Sequence, residues 1–405
     1  MKPAIIASIF IFTIGTAAEA TPLHYAAEKN NAYAVQRLID AGADIESIDK
    51  NGGTPLHVAA WYDSVAAARM LIHAGANLEI KEKEGDTPLH EAAYWNSVGV
   101  ANVLISAGAD IEAKTDITAV NDGGTALHGA AHWNSVDVVR LLIAMGADIE
   151  AQDNNGHTPL HYAASKKDAA IAARILIEAG ANIEAKDEHG DTPLHNSAYW
   201  NSVTVTRLLL NAGADVKAIT ENDSTPLHGA AWYDSVDSAR ALIDAGADID
   251  AIDKNNGTPL HIAARYNFAE TTRMLLDAGA DIEAKNKKDD ETPLHVAARY
   301  NSGTVARMLI EGKAEVEAKN EDGNTPLHIA AKENAPLVAR LLIESGVDIE
   351  EKNDRDLTPW EVAANENATA VFRVLTEAKG KCIGKRCLGN FPSKPTDESP
   401  KERAL

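Results

Sequence analysis

The sequence predicts an all-α chain built by stacking short helix–turn–helix units, and three observations predict it. The tetrapeptide Thr-Pro-Leu-His returns every 33 or 34 residues through most of the chain. Each return opens two apolar stripes at helical spacing, with a turn signal between them. A glycine closes the second stripe, and an extended, acidic stretch leads into the next copy. A chain of 405 residues exceeds what one compact core usually organises, but a stack needs no single core.

The copies begin at Thr21, Thr54, Thr87, Thr158, Thr192, Thr225, Thr258, Thr292 and Thr325. Thr-Ala-Leu-His stands at Thr125, and a degenerate Thr358-Pro359-Trp360-Glu361 ends a series of eleven. The step from Thr87 to Thr125 is 38 residues, so the linker Lys114 to Gly124 should protrude. In the second copy Thr54 is a good N-cap and Pro55 suits the first helical turn. Leu56, Ala59 and Ala60 form a narrow apolar face that lets a neighbouring helix approach closely. Asp63-Ser64 breaks this helix, Asp tolerating the left-handed conformation that a tight turn uses. Val65, Ala68, Leu71 and Ile72 define the second helix, and Gly75 caps it. Copy 5 carries one extra residue near Ser165 to Ala170. Copy 6 has Ser197-Ala198 where others have Ala-Ala, a small residue that should pack.

The ends read differently. Residues 1–20 have a basic Lys2, an apolar run from Ala4 to Ile14 and a small-x-small site at Ala18-Glu19-Ala20, the pattern of a signal peptide. The run is too short to span a bilayer, which takes about 20 residues. An exported chain, periplasmic or secreted, is therefore expected; a retained N-terminal segment would instead mean a cytoplasmic protein. Residues 381–405 are rich in Pro, Lys and Glu and read as a disordered tail. The only two cysteines, Cys382 and Cys387, could form a disulfide in an oxidising compartment, or stay as free thiols.

The period, Thr-Pro-Leu-His-x-Ala-Ala and Gly-Ala-Asp-Ile-Glu-Ala-Lys together resemble the ankyrin repeat family, over residues 21–380. The resemblance implies an ankyrin-repeat α-solenoid. Each unit would carry two antiparallel helices and a β-hairpin finger, and stacking would curve the units round a groove lined by the inner helices and fingers. It also implies that the motif histidine ties neighbouring turns together.

Chemistry finds little support. Ten of the 14 histidines, His24 to His328, recur once per copy, whereas a general base or metal site needs convergence. Asp110, Asp148, Asp215, Asp248 and Asp281 also come one per repeat. No phosphate loop, nucleophile motif or calcium loop appears. No enzyme, no cofactor and no metal are expected. A net charge of −22 excludes a nucleic-acid footprint and fits a basic partner or simple solubility.

Aromatic residues, 5% of the chain, concentrate at one place. On a helical wheel of about 100° per residue, Val58, Trp61 and Tyr62 lie opposite Leu56, Ala59 and Ala60. The same two positions hold Tyr94-Trp95, His132-Trp133, Tyr199-Trp200, Trp232-Tyr233, Arg265-Tyr266 and Arg299-Tyr300. Copies 1, 10 and 11 lack aromatics there, and copy 5 has Ser165-Lys166. Trp and Tyr are enriched at binding hot spots, so the stripe predicts a protein-binding scaffold whose groove spans copies 2 to 9. Variable finger tips, such as Lys50-Asn51 and Glu188-His189, would add contacts. Two other readings fit the same stripe: a structural or protective envelope protein whose rings only stiffen the stack, and a small-molecule binder. A monomer is expected.

Overall fold

The computed structural model describes residues 20–116, 123–254 and 257–382, and side chains up to residue 380. These contain 22 helices, two per repeat. The fold class is the expected all-α repeat solenoid. The chain groups into two compact units, residues 1–255 and 256–405. The first holds repeats 1 to 7 and the second repeats 8 to 11.

Each inner helix starts at the motif threonine. In repeat 2 it is Pro55–Trp61, with Leu56, Ala59 and Ala60 fully buried. The outer helix is Val65–His73, burying Ala67, Ala68 and Leu71. Within each unit, inner helices pack on inner helices and outer on outer in successive repeats. The two alanines make the approach possible, since they present no side chain beyond Cβ.

An Asn or Asp ends the inner helix at positive φ in ten of the eleven repeats, among them Asn30, Asp63, Asn96 and Asn301. In eight of them, from Asn30 to Asn334, the side chain then accepts from the start of the next repeat's outer helix. Asn30 Oδ1 accepts from Ala66 N–H (2.9 Å) and Ala67 N–H (3.0 Å). Asn96 Oδ1 accepts from Asp137 N–H (3.1 Å) and Val138 N–H (3.2 Å). In the second unit Asn301 does the same for Leu337 and Val338. Repeat 5, with its extra residue, has no such turn residue. The substituted Ser197 packs as expected: it is buried, its hydroxyl donates to Leu194 C=O (2.9 Å), and Thr206 Oγ1 donates to it (3.0 Å).

The fingers differ from the β-hairpins implied by resemblance. Among the described residues the only bridge is Lys114 to Thr125, where the finger is longest. Elsewhere a side chain closes the finger too tightly for a ladder of strands. Asp49 accepts from Asn51 N–H (2.8 Å) and Gly53 N–H (3.0 Å), while Gly52 turns the chain at φ +86°. Successive tips join by one backbone bond each, for example Glu188 N–H to Asn155 C=O (2.8 Å) and Glu221 N–H to His189 C=O (2.9 Å). The last helix runs to Cys382, two residues past the expected end of the repeats. The proposed signal segment up to residue 19, the Cys382–Cys387 pairing and residues 117–122 of the long linker lie outside what is described.

Candidate functional site

The motif histidines form a structural ladder. Thr54 N–H can only donate, so His57 Nδ1, at 3.1 Å, accepts. The proton then sits on Nε2, which donates to Asp86 C=O of the next finger at 3.1 Å. The same geometry joins His90 to Gly124, His161 to Asp191 and His295 to Asn324. Burial disfavours the charged ring and pushes His57, His90, His128, His161, His195 and His295 down to about 4. These rings are neutral fasteners at neutral pH, far from a general base.

The recurrent carboxylates are fasteners too. Glu79 Oε1 accepts from Asp110 N–H (2.9 Å), Glu112 Oε1 from Asp148 N–H (2.8 Å) and Glu184 Oε1 from Asp215 N–H (2.7 Å). Asp110, Asp148, Asp215, Asp248 and Asp281 then each accept from the N–H two residues on. Much of the negative charge therefore serves the stacking of one repeat on the next.

The aromatic stripe divides into two rows. The second residue of each pair is exposed: Tyr62, Trp95, Trp133, Trp200 and Tyr233 in the first unit, Tyr266 and Tyr300 in the second, all between 39% and 51%. The first residue is half-buried in Trp61, Tyr94, His132, Tyr199 and Trp232, although Arg265 is exposed. Val58, placed by the wheel on the same outward side, is buried. The wheel treats a helix in isolation, and the neighbouring repeat covers half of that side.

What covers the first row is specific. The Tyr94 hydroxyl donates to Asp86 Oδ1 (2.8 Å), and the Tyr199 hydroxyl to Asp191 Oδ1 (2.8 Å). Their rings lie over Gly129 and Gly229 of the following repeats. Burial, with the Asp86 and Asp191 charges, raises both phenols above their usual range. His132 meets Tyr162 of repeat 5 edge to face at 5.9 Å. Arg299, in the second unit, pairs with Glu291 of its own finger and with Glu333 of the next repeat (3.1 Å). These residues bolt repeats together.

The exposed row has a different environment. Trp95 Nε1 donates to Glu91 Oε2 (3.2 Å), and Trp200 stacks on Tyr233 at 6.5 Å between centroids. The Lys166 ammonium sits 4.6 Å from the Trp133 centroid. Glu91 is buried, and burial followed by the charges of Asp86 and Glu82 raises its carboxyl well above normal. Oxygens of Glu82, Glu84 and Asp86 lie within 4.8 Å of one another, a crowding with no counterpart in the sequence reading.

One further charge arrangement escaped sequence reading. His157 Nδ1 lies 3.2 Å from Asp153 Oδ2, and its Nε2 lies 3.2 Å from Asp187 Oδ2 of the next finger. Burial alone would lower this ring, but the two carboxylates outweigh it and push it up to about 10. Asp153 also takes the Tyr162 hydroxyl (2.9 Å).

The family model for ankyrin repeats (3 copies) matches eight overlapping stretches, from 6–82 through 113–187 and 227–320 to 313–386. The chain belongs to the ankyrin repeat family. Ankyrin repeat domains are in general protein–protein interaction modules, non-enzymatic binding scaffolds. No curated protein sequence matches this ankyrin chain. Among solved structures it is similar to the human ASB11 ankyrin repeat domain, at 27% identity over 56% of this chain and 99% of that one, with a TM-score of 0.49. It is also similar to the ankyrin repeat domain of Bcl-3, a member of the IkappaB family, at 31% identity over 54% and 99%, with a TM-score of 0.48. Among the described residues, no helix is long and apolar enough to cross a membrane.

Proposed function

We propose that this ankyrin chain is a scaffold that holds a protein partner on the exposed row of rings at the ends of its inner helices. The observation that carries the reading is the division of the stripe. Rings needed for stacking are half-buried, yet each pair keeps a second ring open to solvent. An exposed aromatic row costs solubility, and these rings stay 39% to 51% open despite their local contacts, so their recurrence fits contact with a partner. The test is to replace Tyr62, Trp95, Trp133, Trp200 and Tyr233 by Ala and repeat an affinity capture from the compartment of origin. Loss of specific captured proteins with the helical signal intact is expected. An unchanged captured set would overturn the reading.

The N-terminal pattern supports export. Intact-mass measurement of the native protein should give a chain starting near Thr21, and a retained Met1 would refute it.

A further inference from the structure

We propose, resting on the reading above, that the partner segment is basic, and that its Arg or Lys side chains lie over the exposed rings of the first unit, chiefly Trp95 and Trp200. The chain already shows this chemistry with its own cations. Repeat 5 has no ring at the paired position, and its Lys166 instead covers the Trp133 face at 4.6 Å. Lys29 covers Tyr25 in repeat 1 at 5.4 Å. In the second unit Arg265 covers Tyr300 at 5.0 Å and Tyr266 at 5.5 Å. A cation is attracted by the negative face of an aromatic ring, and indole is the best such ring.

The surroundings favour the same occupant. The chain carries a net charge of −22, which draws a basic segment towards it and repels an acidic one. Trp95 rests on Glu91, and the nearby carboxylates of Glu82, Glu84 and Asp86 crowd together. Burial is the main cause that raises Glu91, and a guanidinium or ammonium over that ring would offset the part that the charges of Asp86 and Glu82 add to it. An apolar helix would leave those carboxylates desolvated without compensation.

Three peptides test the inference by titration against the full chain. One alternates Arg with Gly and Ser, one replaces each Arg by uncharged, isosteric citrulline, and one is an amphipathic apolar helix. The Arg peptide should bind on the order of 10-fold or more tightly than the citrulline peptide. Changing Trp95 and Trp200 together to Ala should weaken the Arg peptide by a similar factor, on the order of 10-fold. Changing them to Phe should keep part of the affinity, and changing them to Leu should not, because Leu keeps apolar area without a ring face. None of these variants alters the net charge, so a loss cannot come from weaker general attraction. Arg-peptide binding indifferent to the rings would overturn the inference. Ring-dependent binding of the apolar helix alone would also overturn it, while leaving the scaffold reading intact. Ring-independent behaviour of all three peptides would overturn both.

Discussion

The Tyr94 ring lies over Gly129 of the next repeat so closely that a Cβ on that glycine would stand 2.1 Å from Tyr94 Cε1. Gly129 sits inside a helix, where Ala is normally favoured by about 1 kcal/mol. Here the sign should reverse. Gly129→Ala is expected to destabilise the chain by ~1–3 kcal/mol through overpacking. In a Tyr94→Ala background the same change should become neutral or stabilising. Urea unfolding of the four proteins of this cycle checks it, and a Gly129→Ala effect that ignores residue 94 would contradict the geometry.

Acid should weaken the stack through the histidine ladder. Six ladder rings are pushed down to about 4, below the ordinary 6.5 of the unfolded chain. A depressed ring costs nothing above pH 6.5. As pH falls from 6.5 towards 4, the unfolded chain takes up protons that the folded chain refuses. Each ring then removes about 1.4 kcal/mol per pH unit. Urea midpoints measured at pH 7, 6 and 5 should therefore fall steeply, and a flat profile would show that the rings titrate normally.

His157 behaves in the opposite sense. Its folded value, raised to about 10, gives stability that is complete below pH 6.5 and fades as pH rises towards 10. His157→Gln should cost ~1–2 kcal/mol at pH 6, allowing for the ring's partial exposure. The variant and the parent should converge near pH 10. A constant difference across that range would mean that the ring acts by shape rather than charge.

Asn96 carries two jobs that substitution can separate. It adopts φ +55° and accepts from two N–H groups of the next repeat. Asn96→Gly keeps the turn and removes the acceptor of two N–H groups at the start of the next outer helix, which should cost about 1 kcal/mol. Asn96→Ala also pays for the left-handed turn, adding about 1–2 kcal/mol. Thermal unfolding should rank parent, Gly and then Ala.

Much of the fold was legible because each repeat states its own helix boundaries. Thr54, Pro55 and Gly75 are local signals, and their effects stay local. Relations between repeats were harder to read. The ring of Tyr94 answers to Gly129, and His157 answers to Asp187, each about one repeat away and invisible to a helical wheel. A signal was available for the first pair: both repeats with Tyr at the first stripe position, Tyr94 and Tyr199, precede a repeat with Gly in the motif, Gly129 and Gly229. The stripe itself was legible; its division into buried and exposed rows was not, because that depends on which neighbour lies on which side. The fingers stop short of hairpins because each turn closes with a single backbone bond between its limbs, such as Asp49 N–H to Gly53 C=O, while the Asp49 side chain takes the N–H groups of Asn51 and Gly53.

The last repeat places Glu361 where ten others place histidine. Its carboxylate takes the Thr358 N–H at 2.8 Å and the Thr358 hydroxyl at 3.0 Å, closing the helix start without reaching forward. Among the described residues no further finger stands beyond this helix pair to receive a donor from that position. The chain thus has polarity, like a polymer with a propagating end and a terminator. Whole units can be gained or lost within it by duplication and deletion, each new copy bringing both the donor and the acceptor that its neighbours require.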